Sequence, residues 1–170
     1  MNATKALLVI DVQQGLFQKT RPIYRAEQLL QNINALIDRA RRSATPVIFI
    51  QHANDSFLAH GSAGWQLHPH LQPAETDLRV HKHHGNAFER TPLHHELAAR
   101  GVTTVVVTGL VTHGCVKATC LGAEELGYSV VLVSDGHSNF DEHAARMIDE
   151  WNRKLSESGV ELRSTHEVTF

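Results

Sequence analysis

Thr103-Thr104-Val105-Val106-Val107-Thr108-Gly109-Leu110-Val111-Thr112-His113-Gly114-Cys115 runs from the strongest strand signal in the chain into a glycine-flanked cysteine. Its first part is β-branched and continuously apolar at the centre, as in a strand covered on both faces of a sheet. Residues 114–126 then read as a helix that Gly127 ends. A strand that passes through a tight turn into a helix is half of a parallel crossover unit.

The pattern repeats in both directions from this stretch. Upstream, Thr91-Pro92 resembles a helix start, with Thr at the N-cap and Pro in the first turn, and Gly101 stops that helix. Leu78-Arg79-Val80 is a weak strand before Lys82, and Val47 to Ile50 is a stronger one behind Pro46. Leu29, Leu30, Ile33, Leu36, Ile37 and Ala40 recur at helical spacing between Arg25 and Arg42, and Ala6 to Ile10 is a strand ending at Asp11. Downstream, Ser129 to Ser134 reads as a strand, Phe140 to Leu155 as a helix and Val160 to Val168 as a final strand. This alternation predicts an α/β fold with a parallel sheet and helices on both faces. Ligands in such sheets bind beyond the carboxyl ends of the strands. The residues there are Asp11, Gln51-His52, Lys82, Gly109 to Cys115, and Asp135. Segment 52–77 reads as a long ordered loop, of the kind that forms active-site lids or partner contacts.

Composition narrows the function classes. The 170 residues fit one domain spanning 1–170. A net charge of −2 and a pI near 6.7 give no bulk attraction to nucleic acid or an anionic membrane. No apolar run approaches the ~20 residues of a membrane span. MNATKALLVID enters a strand directly, with no signal-peptide pattern, and two cysteines are no disulfide framework. A cytoplasmic protein is expected.

Three strand-end residues could carry chemistry. Cys115, between a strand and a helix, lies where the helix dipole favours a thiolate and where backbone N–H groups could hold an oxyanion. The alternative for a lone cysteine is a small buried hydrophobe. Cys120 is about 140° further round the helix and reads as core. Asp11 could be a cap or an acid–base group. Lys82 could be a surface charge, or could bias a neighbouring carboxylate or thiol toward its ionised form.

In order along nearly the whole chain stand Leu7-Leu8-Val9-Ile10-Asp11-Val12-Gln13, then Val80-His81-Lys82 with Ala87-Phe88 and Thr91-Pro92-Leu93. Gly109 to Thr119 follows, then Ala123, Gly127-Tyr128 and Val133-Ser134-Asp135. Together they resemble the isochorismatase-like cysteine hydrolases. The resemblance implies a three-layer αβα sandwich around a six-stranded parallel sheet of order 3-2-1-4-5-6. It implies Asp11, Lys82 and Cys115 as a catalytic triad. It also implies a cis peptide between Leu110 and Val111, with backbone N–H groups of Val111 and Cys115 as the oxyanion hole. The activity then expected is cysteine-dependent hydrolysis of a C–N bond in a small carboxamide or ureido compound, through a thioester. One alternative is an isochorismatase-type vinyl-ether hydrolase. Another, of a different class, is a non-catalytic small-molecule or metal-binding module with a redox-sensitive thiol. The resemblance further implies a homodimer or larger homo-oligomer, and the loop with Trp65 and Leu67 is where a partner subunit is expected.

The chain has 13 histidines, nine of them between His52 and His95, which invites a metal hypothesis. Nicotinamidases of the resembled family bind a metal through an Asp-x-His motif after the second strand. Here that position reads Gln51-His52-Ala53-Asn54, so no built-in metal and no cofactor are expected. His81, His83, His84, His94 and His95 read as surface or interface residues. Candidate pocket residues are Gln13 and Asn86 as amide or carboxylate contacts, His52, His113 at the mouth, and Phe17, Trp65 and Phe88 as walls. Core packing is the alternative for Phe17 and Phe88.

Overall fold

The computed structural model of the chain describes residues 4–170. Six strands, β1 (Lys5–Ile10), β2 (Val47–His52), β3 (Leu78–Lys82), β4 (Thr104–Leu110), β5 (Ser129–Ser138) and β6 (Glu161–Arg163), form one sheet of order 3-2-1-4-5-6. Every pairing is parallel. Five α-helices connect them: α1 (Gln14–Phe17), α2 (Ala26–Arg42), α3 (Leu93–Ala99), α4 (Lys117–Glu125) and α5 (Ala144–Ser158).

Strand alternation divides the core into two layers. Leu7, Val9, Val47, Phe49 and Val106 face Ile33, Leu36 and Ile37 of α2. Ala6, Leu8, Ile10, Ile48, Ile50, Val105 and Val107 face Leu93 and Leu97 of α3, Cys120 and Ala123 of α4, and Leu155 of α5. Both faces of the central strands are therefore covered, which is why these strands read as unbroken apolar runs. Among the described residues no helix is long and apolar enough to cross a membrane.

The chain reverses its direction across the sheet between β1 and β4, and a cleft at the carboxyl edge is expected at that switch point. Gly109 makes the close approach there. It pairs with Ile10, has φ of +121°, and a Cβ on it would stand 2.1 Å from the Ile10 carbonyl oxygen.

Several boundaries differ from the sequence reading. The first turn after β4 is not α-helical: Thr112–Val116 forms a wider π-type turn, kinked at Gly114, and α4 begins at Lys117. Helix α5 begins at Ala144 rather than at Phe140. Asn139 Oδ1 accepts the Asp141 N–H (2.9 Å) and Asp141 Oδ1 accepts the His143 N–H (2.8 Å), and these local bonds compete with helix. Strand β6 stops at Arg163, short of the expected Val168. The segment beyond it is tied by side chains, with Asp135 Oδ1 accepting the Thr165 N–H and hydroxyl (both 2.7 Å) and Arg39 donating to the Val168 carbonyl (2.9 Å). The helix at Thr91-Pro92 starts one residue later than expected, with the Thr91 hydroxyl oxygen accepting the Leu93 N–H at 3.3 Å. Helix α1 was not legible, because four residues are too few to show a period.

Gly109→Ala is expected to destabilise the protein by about 3 kcal/mol or more, since the clash is with backbone and the conformation disfavours a side chain. A urea midpoint unchanged from that of the wild type would refute the close approach.

Candidate active site

Asp11, Lys82 and Cys115 come together at the carboxyl edge of the sheet. Asp11 follows β1 with φ of +53°, a left-handed conformation that Asp tolerates better than most residues. Cys115 sits in the π-type turn after β4, across the switch point from Asp11. Lys82 ends β3, two strands from β1, a span of about 9–10 Å. Only a long side chain crosses that distance. Its path runs over the end of β2, where His52 is its register partner.

Lys82 is fully buried, and its Nζ has four acceptors around it. They are Asp11 Oδ2 (3.0 Å), His52 Nδ1 (3.0 Å), the His84 carbonyl oxygen (3.1 Å) and Cys115 Sγ (3.2 Å). The Asp11–Lys82 ion pair is dry, with side-chain exposures of 4% and 0%. The second carboxylate oxygen of Asp11, Oδ1, is buried without a protein partner. An oxygen of Asp11, a ring nitrogen of His52 and Cys115 Sγ all lie within 4.8 Å of one another.

The electrostatics oppose the helix-dipole effect expected at this position. Burial, and next the charge of Asp11, push the Cys115 thiol up to about 12, against the opposing pull of Lys82. The thiol is protonated at neutral pH. The expected dipole effect is weak because α4 starts beyond the cysteine. His52 is held below the ordinary histidine range, first by burial and then by the Lys82 charge, so it is neutral.

Asp11, His52 and Cys115 offer three metal-type ligand atoms, but their common point is taken by the Lys82 ammonium. A metal ion there would have to displace a buried cation, so these residues do not fit one.

The Leu110–Val111 peptide bond is cis. The Val111 carbonyl oxygen accepts the N–H groups of Gly114 (3.0 Å) and Val116 (3.3 Å), which closes the turn around Cys115. A buried polar chain braces that turn from behind. His137 Nε2 donates to Asn152 Oδ1 (2.8 Å), so Nδ1 accepts the Thr112 hydroxyl (2.9 Å), and the Thr112 oxygen accepts Asn139 Nδ2 (3.2 Å). Sequence reasoning missed this brace. Its only signal was a polar run, Ser134 to Asn139, closing an apolar strand.

Five expected pocket residues have other work. Gln13 is buried and its amide is used up: Nε2 donates to the His52 and Trp65 carbonyls (both 2.9 Å), and Oε1 accepts the His52 N–H (2.9 Å). Asn86 Oδ1 accepts the Phe88 N–H (3.0 Å), and its amide packs where a Cβ on Gly122 would stand. Phe88 stacks on Tyr128 at a centroid distance of 5.7 Å. Trp65 is buried rather than lining a polar loop, and its ring meets His60 in a tilted contact (4.5 Å) and His81 edge-on (4.9 Å). Phe17 packs on the core and against His68, at 4.5 Å. His113 is half-buried, with Nδ1 unpartnered. His52 is brought to the triad itself.

The chain matches the Isochorismatase domain model over residues 5–165. A crystal structure described as an isochorismatase family protein superposes with a TM-score of 0.90 at 32% identity, covering 95% of this chain and 98% of that one. The chain belongs to the isochorismatase family. It is an isochorismatase-like hydrolase. A streptothricin hydrolase of Streptomyces noursei is 34% identical over 148 residues, 86% of this chain but only 54% of that protein. Nicotinamidase 3 of Arabidopsis thaliana is 31% identical over 162 residues, 85% of this chain and 79% of that protein.

Two outcomes test the geometry. Lys82→Met leaves Asp11 buried and unpaired, and a loss of about 3–5 kcal/mol in unfolding free energy is expected. Alkylation of Cys115 by iodoacetamide should be slower than that of a free thiol and should climb from about pH 6 to about pH 10 without levelling. A plateau at neutral pH would mean a resting thiolate and would overturn the protonated thiol.

Proposed function

We propose that this isochorismatase-like hydrolase is a cysteine-dependent amidohydrolase that opens a C–N bond of a small carboxamide or ureido compound through a thioester on Cys115. The observation that carries the reading is the convergence of the Cys115 thiol, the Asp11 carboxylate, one of whose oxygens has no protein partner, and a buried ammonium. Relatives named as a streptothricin hydrolase and a nicotinamidase support C–N chemistry.

The resting thiol sets the order of proton movements. Asp11 Oδ1 takes the proton as the sulfur attacks the carbonyl carbon, so the thiolate exists only in transit. Lys82 stays an ammonium and offsets the negative charge as it moves from carboxylate to sulfur. The carbonyl oxygen gains that charge in the tetrahedral intermediate, where the N–H groups of Val111 and Cys115 serve as donors. Asp11 returns the proton to the leaving nitrogen, the C–N bond breaks, and ammonia or an amine departs. Water then hydrolyses the thioester.

Gln51-His52-Ala53-Asn54 lacks the Asp-x-His metal motif, which argues against a nicotinamide ring held by a metal and toward a compound bound by hydrogen bonds alone. The direct test is ammonia release from a library of primary amides and ureido acids. Cys115→Ala is expected to lower release by at least ~10³-fold. Full ammonia release by that variant would exclude the thioester on Cys115.

A further inference from the structure

An ammonium has three N–H groups, and Lys82 has four acceptors within 3.0–3.2 Å. One acceptor goes without. The Asp11 carboxylate carries a full charge and holds its share, and the His84 carbonyl is fixed in the backbone. The contest lies between His52 Nδ1, a good nitrogen acceptor at 3.0 Å, and a protonated sulfur, a poor one, at 3.2 Å. In the resting enzyme the imidazole wins. Because an ammonium can only donate, Nδ1 carries the lone pair and Nε2 carries the ring proton.

We infer that His52 is a positioning residue that withholds one Lys82 N–H from Cys115 until the thiol loses its proton. When Asp11 takes that proton, the sulfur becomes an anion and outcompetes a neutral nitrogen. The N–H then turns from His52 to sulfur, a short rotation about a fixed Nζ. No bond to carbon changes in this step: one hydrogen bond breaks and one forms. The arrangement keeps the thiol protonated, and so resistant to chance oxidation or alkylation, while reserving a donor for the moment of attack.

The surroundings of His52 agree with a neutral acceptor. Lys82 and the neighbouring His83 and His84 disfavour its protonation, and burial does so most, with Asp11 the one opposing charge. Gln13 fixes its backbone through both the N–H and the carbonyl, so the ring is held where Lys82 passes. Removing the imidazole balances the count, since three acceptors then serve three N–H groups and the sulfur is one of them.

The catalytic meaning of this inference rests on Cys115 as the nucleophile, but its test does not require turnover. The probe is iodoacetamide, and the readout is the pH dependence of Cys115 alkylation followed by intact mass and peptide mapping. His52→Leu and His52→Phe remove the acceptor, so alkylation should become about tenfold faster at a given pH, the curve moving about one unit toward acid. His52→Asn places an amide oxygen near the Nδ1 position and should restore the wild-type curve. Thermal melts show which of the two apolar variants is folded, and either suffices. Wild-type or slower alkylation in a folded apolar variant, or an Asn variant that moves with the apolar ones, would overturn the inference. Failure of the amidohydrolase reading would show instead in the ammonia assay, with these curves unaffected.

Discussion

A lysine ammonium with no access to water is the constraint around which the rest of this site is arranged. Burying such a charge costs several kcal/mol even after relaxation, so it persists only where the protein supplies acceptors and an opposite charge. Lys82 meets both needs with groups from three strand ends. Asp11 comes from β1, His52 from β2, and the His84 carbonyl from just beyond β3. The sheet order makes this reachable. With β2 between β3 and β1, the lysine stem lies over one strand end and its head arrives beside the switch point, where β4 delivers Cys115. A lysine on β4 or β5 would have no such path.

The same burial that fixes the ammonium also determines the state of the nucleophile. A thiol in this place is desolvated and faces a carboxylate, and both effects outweigh the lysine. In the proposed reaction, charge therefore moves among Asp11, Lys82 and Cys115 rather than being stored on sulfur beforehand. That in turn demands rigidity, because a proton handed between Cys115 and Asp11 needs a constant separation. The brace supplies it from the far side of the turn, through the buried Thr112 and His137 and the half-buried Asn152.

How much of this could be read from the residues depended on whether the signal was local. The apolar runs at Ala6–Ile10, Val47–Ile50 and Thr104–Val107 carry their own period, and each is a strand in the structure. The meeting of Asp11, Lys82 and Cys115 was legible because Asp11 follows β1, Lys82 ends β3 and Cys115 lies in the turn after β4. The pocket residues were not, because a side chain's partner in a long loop is set by tertiary contacts. Gln13 looks like a polar residue beside a strand-end aspartate, and nothing local shows that its amide is consumed by His52 and Trp65. The weakness of the helix-dipole effect at Cys115 was hidden for the same reason. The dipole argument used sequence position alone, while burial and the π-type turn, which decide the matter, belong to the folded chain.

The abundance of histidine takes on a different aspect once the ammonium is placed. Imidazoles gathered near a carboxylate and a thiol are the makings of a metal site, and Asp11, His52 and Cys115 do present their ligand atoms to one another. A cation already stands among them. Lysine and a metal ion answer the same electrostatic demand at this position, but differently: a metal would hold the sulfur as a bound thiolate, whereas an ammonium leaves it free to exchange its proton with Asp11. His60 and His81, meanwhile, pack their rings on Trp65 and so hold the long loop against β3. His52 offers a neutral nitrogen, and the positive charge at this centre is left to Lys82.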